Sequence, residues 1–168
     1  MDQVTAWGKC VITSGATGAD DAMGAVLTNV GIIKEDSTKL ELEAGDVKEL
    51  YGEGHELVDQ RQLEGKFKLS FTIIKASLTE IAKLYGITLA DGAKELPIVS
   101  SVINEKRSYV VTPELEGAIG AKLPKCTTQI NPIMQTAEGW TLEVIATGLK
   151  PADGAACTLF QKATASAE

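Results

Sequence analysis

The stretch Leu63–Gly86, LEGKFKLSFTIIKASLTEIAKLYG, decides how the rest of the chain is read. In its first half Leu63, Gly65, Phe67, Leu69, Phe71 and Ile73 fall on one face; Glu64, Lys66, Lys68, Ser70 and Thr72 fall on the other. A period of two sustained over that length predicts a long strand with one buried and one polar side. The period then changes. Ser77 and Glu80 stand in the S-x-x-E spacing of a capping box, which satisfies free amides at a helix start. Leu78, Ile81, Ala82 and Tyr85 recur at helical spacing, and Gly86 supplies the left-handed residue that ends many helices. The expectation is one amphipathic strand feeding a flanking helix, about 77–86, whose apolar side packs on a sheet against Phe67, Leu69 and Phe71.

Outward from this unit, the 168 residues are enough for a single domain, 1–168, with a core of its own. Acidic residues outnumber basic ones 23 to 16, a net charge of −7. That balance excludes a broad nucleic-acid grip, which needs clustered cations to displace counterions from phosphate. Cys10, Cys126 and Cys157 are odd in number and lack C-x-x-C spacing, so reduced thiols are expected rather than a metal site or disulfide framework. The start, MDQVTAWGK, has neither a basic opening nor an apolar run, so no signal peptide is expected. No apolar stretch reaches the roughly 20 residues of a membrane helix, so no membrane anchor is expected either.

Toward the N-terminus, Thr5–Thr13 reads as a strand anchored by Trp7 and Val11. The glycine-rich 14–24 segment reads as a flexible loop; no G-K-[ST] follows it to make a phosphate cradle. Leu27–Ile33 reads as a strand, 34–37 as a turn, and Lys39–Glu43 as an alternating strand. Between Glu41 and Glu64 eight acidic residues face only Lys48 and Arg61, so six of the net seven negative charges sit there. The same segment keeps Val47, Leu50, Tyr51, Leu57 and Val58, more apolar side chains than a disordered tail carries, and Gly52 and Gly54 bend it around Glu53. It reads as a long acidic hairpin, about 45–62, reaching out from the body.

Beyond the helix, Ile87–Glu95 reads as a loop, and Leu96–Ile103 and Arg107–Thr112 as two strands around a turn at 104–106. A turn-rich connection then spans Pro113–Pro124. Lys125–Gln135 and Trp140–Thr147 make a hairpin, 151–154 a turn, Ala156–Gln161 a last strand, and 162–168 a frayed end. The fold class is mainly β: a sandwich or barrel with one flanking helix and the long acidic hairpin.

The residues suggest no reaction. His55 is the only histidine and has no serine or cysteine partner nearby in sequence, and no zinc, calcium or nucleophile-elbow spacing occurs. No catalytic, cofactor or metal residues are expected. The protein reads as one that functions through its surface. Val47, Leu50, Tyr51, Leu57 and Val58, with Gly52, Glu53 and Gly54 at the bend, are the candidate subunit interface. Their acidic neighbours would meet basic residues of another subunit, such as Lys9, Lys34 or Lys122, head to tail.

Several ordered stretches carry a family resemblance: WGKC at 7–10, LTNVGIIKEDSTKLELEAGD at 27–46, the strand-then-helix unit at 64–86, and a late block from Tyr109 through VTPELEGAIG and INPIMQTAEGWTLEVIATGLKP to Pro151. Together these resemble the major tail tube proteins of long-tailed bacterial viruses, over nearly the whole chain. The resemblance implies a virion protein, assembled in the bacterial host cytoplasm, whose hexameric rings stack into a hollow tube. It implies as partners a tape-measure protein, a tail terminator and baseplate or tail-tip proteins. The genome would pass down the lumen without specific binding. Glu41, Glu43, Glu64, Lys66, Lys68 and Glu143 are the candidate lumen-facing residues under that reading. Contractile-tail and type VI secretion tubes are similar in fold. The competing readings are a tail terminator or tube-initiator ring, and an adhesin-type or carbohydrate-binding sandwich module.

Overall fold

The alternating stretch forms β7 (Lys66–Lys75), with Leu69, Phe71 and Ile73 buried, Phe67 half-buried and the polar residues turned away. In the computed structural model, which describes residues 8–98 and 102–163, β7 lies inside one large antiparallel sheet. The other strands of that sheet are β1 (Cys10–Ala16), β2 (Thr28–Asn29), β3 (Ile32–Ile33), β4 (Lys39–Glu43), β8 (Val102–Pro113), β9 (Ile119–Gln135), β10 (Gly139–Gly148) and β11 (Thr158–Gln161). Their order is β2-β1-β8-β9-β10-β7-β3, with β4 also on β7 and β11 also on β9. Two more strands, β5 (Val47–Tyr51) and β6 (Leu57–Gln62), pair only with each other. Among the described residues the single α-helix is α1 (Leu78–Leu84).

The sheet curls into a half-barrel, and residues 28–33 bridge its two ends. Thr28 and Asn29 pair with Ser14 and Thr13 of β1, the Val30 amide donates to the Ile12 carbonyl at 3.2 Å, and Ile32 and Ile33 pair with Lys75 and Ile73 of β7. The single strand expected over Leu27–Ile33 is thus two short strands on opposite partners. Gly31, at a φ of 121° that side chains avoid, makes the change of partner, and the Asn29 side chain accepts its amide.

Inside the curl lies a continuous apolar core. Register sets Phe71 opposite Val144, Leu69 opposite Ala146 and Val144 opposite Ile130; Tyr109, Val111 and Ile12 complete the wall. The Phe71 and Tyr109 rings meet edge-on, 6.2 Å apart and 62° to one another. The Tyr109 hydroxyl shares a 2.7 Å hydrogen bond with Thr128, and burial pushes its phenol up to about 12.

The helix begins as the spacing predicts. Ser77 accepts the Glu80 amide, the Glu80 carboxylate accepts the Ser77 amide, and Gly86 follows at a φ of 70°. Its buried residues are Ala82 and Leu84, with Tyr85 at its end, whereas Leu78 and Ile81 are half-exposed. The helix approaches β1, and Leu84 and Tyr85 join the same core as Phe71 rather than covering β7 alone.

Four expectations need correction. The first strand covers Cys10–Ala16, and its inward anchor is Ile12, not the exposed Val11; Thr5–Trp7 lie outside the described residues. The 14–24 segment is not a free loop. Asp21 in the short 3-10 turn Ala19–Asp21 binds Lys125 and the Ala152 amide, Thr17 donates to the Pro124 carbonyl, and the Gly24 amide donates to Ser108. Residues 104–106 are no turn but the bulged middle of β8: four steps from Ile103 to Arg107 oppose two on β9, from Thr128 to Cys126. The bulge turns Arg107 inward, where it donates to Ser14 at 3.1 Å and pairs with Glu105 at 3.0 Å. The turn-rich connection is also shorter than expected, because β9 starts at Ile119. At the C-terminal end, the Lys162 amide donates to Ala118 and so holds the end of β11; residues 164–168 lie outside the described residues.

Candidate functional site

The acidic segment folds into the β5–β6 hairpin, detached from the main sheet. Val47 pairs with Gln62, Lys48 with Arg61, Glu49 with Gln60 and Leu50 with Asp59, before a register shift sets Tyr51 opposite Leu57. At its root the Leu63 amide donates to Asp46 at 2.9 Å, and a side chain at Gly45 would strike the Leu63 carbonyl, so the two legs must lie close. At its tip the Gly52 amide donates to Glu56 at 2.8 Å, and Gly54 and His55 take left-handed φ values of 82° and 61°.

Every residue of both strands is exposed. Leu50 keeps 62% of its surface in water and Val58 65%, with Val47, Tyr51 and Leu57 close behind. The Tyr51 hydroxyl binds the Glu49 carboxylate, and that bond raises the phenol pKa. A lone two-stranded hairpin is marginal in water, and here like-charged Lys48 and Arg61 also face each other. Its apolar side chains contribute nothing to the core of their own chain. All eight candidate interface residues therefore sit together on one projecting arm, with Gly52, Glu53 and Gly54 at its tip.

The candidate lumen residues converge less completely. Glu41 stands opposite Lys68 and Glu43 opposite Lys66 across the β4–β7 pair, and Glu143 stands opposite Thr72 across β10–β7, all on the face turned from the core. Lys39 joins them through a 2.6 Å ion pair with Glu41, whose carboxyl is held below its usual range by that hydrogen bond and charge. This face carries Lys39, Lys66 and Lys68 against Glu41, Glu43 and Glu143, with no net charge. Glu64 falls outside the array, in the 63–65 connector before β7.

One feature has no signal in the sequence, because it forms where distant segments meet. A groove of about 890 Å³ opens where β1 faces β3, lined by Lys9, Cys10, Val11, Ile32, Lys34 and Glu35 among others. A second depression beside it shares Asn29, Gly31 and Ile32 and adds Lys75.

Among the described residues no group of three or more His, Cys, Asp or Glu is placed to hold a metal ion, and no helix is long and apolar enough to cross a membrane. Neither a family model nor a curated protein matches the chain.

Proposed function

We propose that this protein is the tail tube subunit of a long-tailed bacterial virus, a structural protein whose hexameric rings stack into a hollow conduit for the genome. The projecting β5–β6 arm carries this reading: Leu50, Tyr51, Leu57 and Val58 are spread over a two-stranded ribbon that its own chain leaves in water. Burying such surface is worth about 25 cal/mol per Å², a gain available only against another molecule. The charge-balanced face around Glu41, Lys68 and Glu143 suits a wall past which a polyanion slides, since it offers phosphate no excess of cations.

Electron microscopy of the purified chain tests the proposal. Open-ended tubes are expected. Single rings that do not stack would point to a terminator or initiator instead, and monomers at every concentration would overturn the assembly reading.

A further inference from the structure

Helix α1 closes the open side of the curled sheet. Its cap residue Ser77 follows almost directly on the end of β7 at Lys75, and Gly86 beyond its other end abuts Glu105 in the β8 bulge. β9 and β10 separate β7 from β8 in the sheet, so α1 crosses the mouth of the half-barrel rather than following one strand pair. Ala82, Leu84 and Tyr85 are buried beneath it, and the last two belong to the core.

This apolar contact has little help. Among the described residues the hydrogen bonds of 77–87 stay inside the segment: Ile81 to Ser77, Tyr85 to Ile81, Gly86 to Lys83, Ile87 to Ala82, and the reciprocal cap. None reaches the sheet. A depression lined by Asn29, Gly31, Ile32, Lys75, Ser77 and Glu80 leaves the first turn loosely packed. Tyr85 is 8% exposed, yet its buried hydroxyl has no hydrogen-bond partner among the described residues. An unpaired buried hydroxyl costs free energy that is recovered once it reaches water. The closed position of α1 is thus opposed by one of its own side chains.

A counterweight sits at the far end. The Glu105 carboxylate rests on the Gly86 backbone, where any side chain at 86 would strike it. The same carboxylate oxygen accepts from Arg107 at 3.0 Å, and Arg107, 4% exposed, donates to Ser14 of β1 at 3.1 Å. A cation at this place also suits the carbonyl end of the helix.

We propose that α1 is a lid on the half-barrel that opens as a unit between Ala76 and Gly86, latched shut by the Glu105–Arg107 pair. The inference does not depend on the assembly reading above. Opening carries the Tyr85 hydroxyl into water and uncovers the apolar mouth beneath Leu84, with every strand pair left intact.

Hydrogen exchange on the full chain, followed by mass spectrometry at rising but sub-denaturing urea, tests it. Amides of 81–87 should exchange at least about a hundredfold faster than those of β9 and β10, with a shallow urea dependence, because a lid exposes little surface. Equal rates and equal urea slopes would mean that α1 opens only when the whole chain unfolds, which overturns the lid. Tyr85→Phe deletes the unpaired hydroxyl and should slow α1 exchange about tenfold. Exchange left unchanged or made faster would refute the opposing role of the hydroxyl. Glu105→Gln keeps the shape of the latch without its charge and should speed α1 exchange about tenfold. If that variant speeds β9 and β10 but leaves α1 as it was, the pair belongs to the sheet and is no latch.

Discussion

Asp21 shows how much one side chain can hold. Its carboxylate accepts the Lys125 ammonium at 2.7 Å and the Ala152 amide at 3.1 Å, from a backbone at a φ of 61° that only small polar residues and glycine adopt readily. The Lys125 hydrogen bond, helped by its charge and by the Ala152 amide, holds the carboxyl below its ordinary value. A group whose folded pKa is depressed stabilises fully above its unfolded value, near 4, and loses that contribution as pH falls through the folded value. Asn tolerates the same backbone conformation, so Asp21→Asn isolates the charge. Urea titrations should find the variant weaker at neutral pH, with the gap narrowing below about pH 4; a gap unchanged by pH would refute the linkage. At the centre of the core the argument is simpler. Phe71 is 1% exposed against Tyr109, so Phe71→Ala should cost about 3–5 kcal/mol, read as a lowered thermal midpoint.

The helix and the hairpin are elements of opposite kind. α1 is a single short run, held by its cap and by burial of Leu84 and Tyr85. Ser77→Ala removes the acceptor for the Glu80 amide and should lower stability by about 1 kcal/mol without changing the fold, measurable by chemical denaturation. The β5–β6 hairpin contributes no buried residue, so Leu50→Ser with Leu57→Ser should leave the circular dichroism spectrum and the melting of the body intact. Assembly should be lost, as sedimentation would show. Tubes of normal length from that double variant would make the hairpin a solvated loop.

For the whole molecule the deciding quantity is the balance and placement of charge. With a net charge of −7 and lysines matched by glutamates across β4 and β7, no face described above concentrates cations. Gel shifts at micromolar protein should therefore show no saturable DNA binding at moderate salt. A shift that weakens as salt is added would reveal a phosphate contact that this charge pattern does not predict.

The elements legible in the sequence were those specified by neighbours along the chain. The β7 alternation, the Ser77–Glu80 cap, Gly86, the Lys39–Glu43 strand and the hairpin across Gly139 all rest on spacings of two to four residues, and each stands where its spacing puts it, except that β7 begins at Lys66 and leaves Leu63 and Gly65 in the connector before it. The long acidic hairpin was visible in the sequence too: Gly52 and Gly54 bend it, and Val47, Leu50, Tyr51, Leu57 and Val58 on either side set it apart from a disordered tail. What escaped the sequence was decided by contacts between distant segments. The bulge that turns Arg107 toward Ser14 reads locally as a polar turn, and only the register of β8 on β9 makes it strand. The pinned 14–24 segment depends on Lys125 and Pro124, more than a hundred residues away. The switch of partner at Gly31 and the groove beside it exist only because the sheet curls until β1 and β7 lie near one another. Local hydrogen bonding and periodicity specify elements; curvature, register and the surfaces they create are properties of the closed tertiary fold.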